Sequence, residues 1–313
     1  MDRRQLGRGE VEVPRILLGC GNFGGIGSAP EFFGAGETRE EAFALMDAAW
    51  ELGITAFDTA DAYGGGRSET WIGEWIRSTG RRPVILSKTA NAMAAGADQG
   101  LAPERIERQV ASSLKRLGVD ALDVYLAHAY DPATPLAETM GAFEALCDRG
   151  LIRSYGVSNF DAGQLREAVT AGRPTTIQNS YSLLERGDEA DVIPLCRERG
   201  VAYMAFGPLA GGWLAGRYRQ GEEPPPGSRM STRPEAYEHL RVGRTFRGLE
   251  GLAAAASERG VSSAGLALAW VLAQQDVVAA IVGPRRPEHL GAVVEALEVD
   301  LSAEEAAELA TLF

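Results

Sequence analysis

Lysine is almost missing from this chain. Of its 31 Lys plus Arg residues only Lys88 and Lys115 are lysine, and the other 29 are arginine. Cysteine is scarce too: Cys20, Cys147 and Cys196 are scattered with no CxxC pair, which argues against a disulfide framework or a thiolate zinc site and leaves reduced thiols as the expectation. The three histidines, His128, His239 and His289, are too few and too far apart for a multi-histidine centre, so no metal is expected. No stretch reaches the roughly 18 apolar residues of a membrane span, and the first residues, MDRRQLGRGEVEVP, carry charge with no apolar segment behind them. We therefore expect a cytoplasmic chain with neither signal peptide nor membrane partner. Positive charge is in deficit, giving a net charge of −12, and an acidic surface does not attract nucleic acid or anionic lipid. A small molecule is the partner that these absences leave.

What is present is a regular alternation. The 313 residues, 45% of them hydrophobic, suit one large α/β barrel or two ordinary domains. Short β-branched or apolar runs occur at 15–20, 55–60, 84–89, 122–128, 154–159, 175–180, 202–207 and 278–283. Helix-length stretches of 3.6 period lie at about 38–53, 67–79, 103–118, 136–149, 161–171, 188–200, 247–259 and 287–298. Strand followed by helix, eight times over, predicts parallel strands closed into a (β/α)8 TIM barrel, an α/β fold in a single domain spanning 1–313. An open doubly wound sheet is the alternative. The first twelve residues, with Gly7 and Gly9, predict a short hairpin closing the barrel floor. The long connections at 91–102 and 207–246 mark the mouth, where barrel ligands bind.

One motif points elsewhere. Gly19, Gly21 and Gly24 in GCGNFGG satisfy GxGxxG, and Asp58 could serve as the ribose-binding acid of a dinucleotide fold. That motif has to open a helix at once, whereas GIGSAPEFFGAG follows and no helix begins before about Thr38. A glycine loop over a barrel mouth is the better reading.

The stretch PVILSKTA then stands out, because it ends an apolar strand on one of the two lysines. Asp58 closes the preceding strand, Tyr63 follows it by five residues, and His128 closes the strand after Lys88. Each alone has a structural explanation: a turn cap, a half-buried ring, a rim lysine, a core histidine. At the ends of adjacent barrel strands the four can converge. Desolvation would strip the proton from Lys88 unless it were paired, and Asp58 is the available counter-charge. A cation about 4 Å from a phenolate contributes roughly 4 kcal/mol at an effective dielectric of about 20, equivalent to about three pH units on an ordinary value near 10. This predicts a Tyr63 hydroxyl that exchanges its proton near neutrality, with burial opposing, and a His128 that polarises the same substrate oxygen.

These residues, in ITAFDTADAYGGGRSE, VILSK, LDVYLAH and IRSYGVSNF, resemble the aldo-keto reductase superfamily over roughly residues 10 to 300. The resemblance implies a barrel that binds a nicotinamide cofactor without a Rossmann fold, with Tyr63 as general acid/base, Lys88 and Asp58 tuning it and His128 at the substrate carbonyl. It further implies Ser158, Asn159 and Gln178 at the nicotinamide carboxamide and Phe206 stacked on the ring, where a tyrosine is common in the family. Gly21, Asn22, Gly207, Leu209 and Gly283 are the accompanying cofactor positions. Arg285 and Arg286, at a helix start after the last strand, suit a 2′-phosphate, so NADP(H) is expected and NAD less so. The sequence departs from the family in carrying His289 where an arginine is usual and Ala292-Val293 in place of a Glu-Asn pair. Phe23, Asn91, Tyr130 and Trp213 are candidates for the substrate pocket, Trp213 having packing under the 207–246 loop as its alternative. Two other functions fit the same features less well: a Schiff-base aldolase built on Lys88, which Asp58 would keep protonated, and a catalytically weak barrel that binds NADP as a regulatory sensor.

Overall fold

The expected hairpin is present: β1 (Arg3–Gln5) pairs antiparallel with β2 (Glu12–Pro14) in the computed structural model, which describes residues 1–313. Leu6 and Val11, between the two strands, and Val13 in β2 are buried against Leu17, Leu86, Leu126, Met204 and Ile281, residues from five different strands of the sheet that follows. A side chain at Gly7 would strike the carbonyls of Thr175 and Gly200, just ahead of two strand starts, so the hairpin plugs the N-terminal end of the sheet.

Eight parallel strands follow: β3 (Ile16–Gly19), β4 (Ala56–Asp58), β5 (Val84–Thr89), β6 (Val124–Ala127), β7 (Tyr155–Ser158), β8 (Thr176–Ser180), β9 (Ala202–Phe206) and β10 (Val277–Val282). Each pairs with the next, and β10 returns to β3 to close the barrel. All eight lie at the runs read from the sequence. Side chains alternate across the wall: Leu17, Leu86 and Val124 fill the interior, while Ile16, Phe57, Ile85, Tyr125 and Ile177 face the helices, so both faces are dry. No edge strand remains.

The helices are α1 (Arg39–Glu51), α2 (Arg67–Thr79), α3 (Pro103–Leu117), α4 (Leu136–Asp148), α5 (Ala162–Ala171), α6 (Val192–Arg199), α7 (Arg229–Thr232), α8 (Gly243–Glu258), α9 (Ser263–Ala273), α10 (Gly291–Glu298) and α11 (Ala303–Ala310). Thr38 with Glu41, and Asp161 with Gln164, form capping boxes that start α1 and α5 where the sequence placed them. Several details differ from expectation: the 247–259 helix starts early, at Gly243, and α7 and α11 lie outside the expected stretches. Helix α9, SAGLALAWVLA, was missed because it is apolar on every side and buried from Gly265 to Val271, leaving no 3.6-residue stripe to read. The expected 188–200 helix starts at Val192, after a 3-10 turn over Gly187–Glu189. The expected 287–298 helix opens with a 3-10 turn over Pro287–Leu290, and α10 begins at Gly291. The segment after Gly19 does not form a helix before α1 apart from a 3-10 turn at Pro30–Phe32, which removes the Rossmann reading.

Candidate active site

The polar strand ends are held in register by backbone hydrogen bonds that continue the sheet ladder past its last formal residues. Cys20 N–H donates to the Asp58 carbonyl at 2.8 Å, Asp61 N–H to that of Lys88 at 3.0 Å, and His128 N–H to that of Thr89 at 2.9 Å. The side chains of Asp58, Lys88 and His128 therefore rise from three neighbouring strand ends. Tyr63 joins them through a turn closed by its own N–H to the Ala60 carbonyl. Gly64, Gly65 and Gly66 follow with φ of 58°, 67° and 90°, a left-handed run that swings the chain into α2. At Gly64 a Cβ would also lie 2.6 Å from the Phe23 carbonyl, so glycine is required on both counts.

Lys88 is 2% exposed and Asp58 4%. Lys88 Nζ donates to Asp58 Oδ2 at 2.6 Å and to the Thr59 carbonyl at 2.9 Å, while the other Asp58 oxygen accepts from Gln178 Nε2 at 2.8 Å. Above this pair the Tyr63 ring has its centroid 5.2 Å from Lys88 Nζ, and its hydroxyl lies 3.4 Å from His128 Nε2. Tyr63 and His128 are half-buried and complete the mouth.

The charges do not balance as the sequence suggested. Burial raises the Tyr63 hydroxyl above its ordinary value; Lys88 pulls it down, but Asp58 behind the lysine adds to the rise, and the net direction is up. The expectation of a tyrosine tuned to neutrality is thus corrected: burial, with Asp58 adding to it, outweighs the ammonium beside the ring. Burial also lowers Lys88, but the Asp58 carboxylate and Tyr63 outweigh it, and the ammonium stays charged. Burial and the Lys88 charge push His128 well below the usual imidazole range, so it is neutral. Asn91 Nδ2 lies 3.1 Å from His128 Nδ1; an amide N–H donated there leaves the ring proton on Nε2, facing the tyrosine. Two neutral donors, Tyr63 Oη–H and His128 Nε2–H, then face the same point at the mouth. Such a pair can hydrogen-bond one carbonyl oxygen and hand it a proton.

The remaining candidates divide. Ser158 and Gln178 are paired in register on β7 and β8, and Asn159 adopts φ 59° with its amide donating to the His128 carbonyl at 2.8 Å. Phe206 ends β9 opposite Ile281, followed by Gly207 at φ 65° and by Leu209. Asn22 Oδ1 accepts from Arg229 at 2.5 Å across the mouth, and the ring of Tyr63 passes over Gly21, where a Cβ would lie 3.5 Å from it. Gly283 follows β10, Arg285 is paired with Glu37, and His289 Nδ1 accepts the Arg285 N–H at 3.1 Å. Of the pocket candidates, Tyr130 packs edge-on against Phe160 and Asn91 is bonded to His128. Phe23 and Trp213 do not line an open surface: both are 1% exposed, Trp213 being packed between Tyr218 and Phe246 beneath the long loop.

Several further buried polar residues surround the site. Arg105 of α3 donates to Thr89 Oγ1 at 2.8 Å and to the Asn91 carbonyl at 2.7 Å, bracing the residue that orients His128. Glu69 of α2 is fully buried, accepting from Ser87 at 2.5 Å and Arg116 at 2.7 Å. Asp61, three residues after Asp58 in the same DTAD run, is fully buried and neither of its oxygens has a partner. Burial drives its carboxyl from 3.8 to about 7, with Glu69 adding to the rise and Thr89, Arg105 and Arg116 opposing. A raised folded-state value favours folding below the unfolded value and loses that contribution as pH climbs through the folded one. The difference corresponds to on the order of 4 kcal/mol. Asp61→Asn is therefore expected to gain stability relative to wild type by that order between pH 4 and pH 8 in urea unfolding; a pH-independent difference would contradict the assignment.

Comparisons with known proteins bear on the family and the fold. A family model described as aldo/keto reductase family matches residues 15–312. The aldo-keto reductase yakc of Schizosaccharomyces pombe, named with NADP(+), is 32% identical over 94% of this chain and 86% of its own. The NADH-specific methylglyoxal reductase of Escherichia coli is 30% identical over 96% and 95%. Among solved structures, a glycerol dehydrogenase from Gluconobacter oxydans superposes with a TM-score of 0.85 at 26% identity, covering 99% of this chain and 94% of that one. The closed eight-stranded barrel, its polar strand ends and a family match spanning nearly every residue together make this chain a member of the aldo/keto reductase family of oxidoreductases.

Proposed function

We propose that the chain interconverts a carbonyl and an alcohol, on an aldehyde, ketone or sugar, with a nicotinamide cofactor, and that Tyr63 is the general acid/base. The observation that carries this reading is the stack of a buried Lys88–Asp58 pair beneath a protonated Tyr63 that faces a neutral His128. The cofactor supplies or accepts the hydride. The protein residues fit such a group: Gln178 Oε1 is buried beside the site with no hydrogen-bond partner, an acceptor suited to a carboxamide N–H, and Ser158 and Asn159 stand on the adjoining strand end. Phe206 offers a ring face for stacking. In reduction, His128 and Tyr63 hold the carbonyl oxygen, and the Tyr63 proton moves to it as negative charge develops there. Lys88 stabilises the phenolate that this leaves. The exposed guanidinium of Arg286 supports NADP(H) over NAD(H) as the cofactor.

The test is absorbance at the reduced-nicotinamide band with NADPH, then NADH, against a panel of aldehydes, ketones and reducing sugars. Substrate-dependent oxidation is expected, faster with NADPH. Cofactor binding with no turnover across the panel would move the assignment to a regulatory barrel.

A further inference from the structure

Arg285 is already engaged by two protein acceptors. Its Nε donates to Glu37 Oε1 at 2.9 Å and its Nη1 to the Gly227 carbonyl at 2.8 Å, so one guanidinium ties the end of the first loop to the long loop after β9. The Glu37 side chain is 2% exposed, and its second oxygen is buried without a hydrogen-bond partner. Arg229, on the same long loop, adds its charge to the Glu37 environment and is itself bonded to Asn22. Arg286, by contrast, is exposed and its guanidinium makes no ion pair.

A phosphate takes an arginine best through two parallel N–H donors. Arg285 has committed its single Nε–H to Glu37 and one Nη1–H to Gly227, so the side-on Nε/Nη2 fork is closed and the end-on fork shares Nη1 with a backbone carbonyl. To offer its side-on fork it has to leave Glu37, and a buried carboxylate stripped of its partner costs far more than a solvated one. A phosphate monoester arriving with Glu37 still in place brings roughly 1.5 to 2 negative charges toward a third. Resting on the cofactor reading above, we propose that Glu37 is a specificity-determining residue: it withholds Arg285 from a 2′-phosphate, leaves that group to Arg286, and narrows the margin of NADP(H) over NAD(H).

The experiment is calorimetric titration of 2′,5′-ADP and 5′-AMP, fragments with and without the 2′-phosphate, into wild type, Glu37→Gln, Arg285→Ala, Arg286→Ala and the Glu37→Gln/Arg285→Ala double variant. Releasing one charge-assisted fork is worth about tenfold. Glu37→Gln is expected to tighten 2′,5′-ADP about tenfold and leave 5′-AMP within about twofold, and the double variant to lose the gain. In the wild-type background Arg286→Ala is expected to weaken 2′,5′-ADP about tenfold and Arg285→Ala less than about twofold, a contrast that stands even if Glu37→Gln fails to fold. Unchanged 2′,5′-ADP affinity in folded Glu37→Gln, or a tenfold loss from Arg285→Ala alone, overturns the role of Glu37 while leaving the cofactor reading intact. Failure of wild type to bind NADP+, NAD+ or either fragment overturns the cofactor reading, and the role of Glu37 with it.

Discussion

Tyr63→Phe is expected to bind the nicotinamide cofactor as wild type does and to lose about 10²- to 10⁴-fold in kcat, the usual worth of a positioned general acid. The substitution removes one oxygen. The ring that covers Gly21 and stands over Lys88 stays, as does the Lys88–Asp58 pair beneath it, so the fold and the cofactor surfaces persist. What disappears is the proton donor beside His128 Nε2, 3.4 Å away. The pH dependence carries the same signature. Because burial holds the Tyr63 hydroxyl above its ordinary value, the phenol is protonated throughout the neutral range. Carbonyl reduction, which needs the proton, is expected to be flat through neutrality and to fall only at strongly alkaline pH. Alcohol oxidation, which needs the phenolate, is expected to climb with pH over the same range. A neutral-pH maximum for both directions would count against Tyr63 and return weight to a group titrating near 7.

Lys88→Met is expected to fail twice over, in stability and in catalysis. Removing the ammonium leaves Asp58 buried with its charge opposed only by the Gln178 amide, and breaking a buried pair this way costs about 3–5 kcal/mol. Tyr63 loses the one cation that lowers its hydroxyl and keeps the carboxylate that raises it, so turnover falls as well. The two effects separate in the double variant Lys88→Met/Asp58→Asn. With both charges gone the stability is expected to recover substantially, because the pair gives little net stabilisation over neutral residues of similar volume. Activity is expected to stay lost, since no cation is left to stabilise a Tyr63 phenolate. Recovery of both would make the pair structural and remove it from the chemistry. Chemical unfolding and steady-state rates on wild type and the two variants decide between these outcomes.

The barrel was legible because eight short apolar runs alternate with amphipathic helices, and because strand ends can be compared position by position. Lys88 advertised itself through scarcity, one of two lysines and the one set in a buried strand. Asp58 and His128 followed from their places on neighbouring strands. The sign of the Tyr63 shift was not legible, since it depends on the competition of burial and Asp58 with Lys88, and these act at distances that only the folded chain defines. Trp213 and Phe23 show the same limit: an aromatic near a barrel mouth reads identically whether it lines the pocket or lies beneath it. Arg105 and Glu69 are indistinguishable in sequence from many similar residues on amphipathic helices, whereas Asp61 has a local signature, an acid in a strand-end run three residues from another. Helix α9 was hidden by its own burial. The Glu37–Arg285 contact, spanning 248 residues of chain, had no local trace at all.

The central claim is that this barrel moves hydride between a nicotinamide and a carbonyl carbon. The most direct measurement supplies NADPH labelled with deuterium at C4 of the nicotinamide to the purified chain with a reducible aldehyde, followed by mass spectrometry and NMR of the product. Deuterium on the carbinol carbon of the product, formed at a rate that collapses in Tyr63→Phe, is the expected result. An alcohol product formed without label from either C4 position, or at a rate indifferent to the Tyr63 hydroxyl, would contradict it.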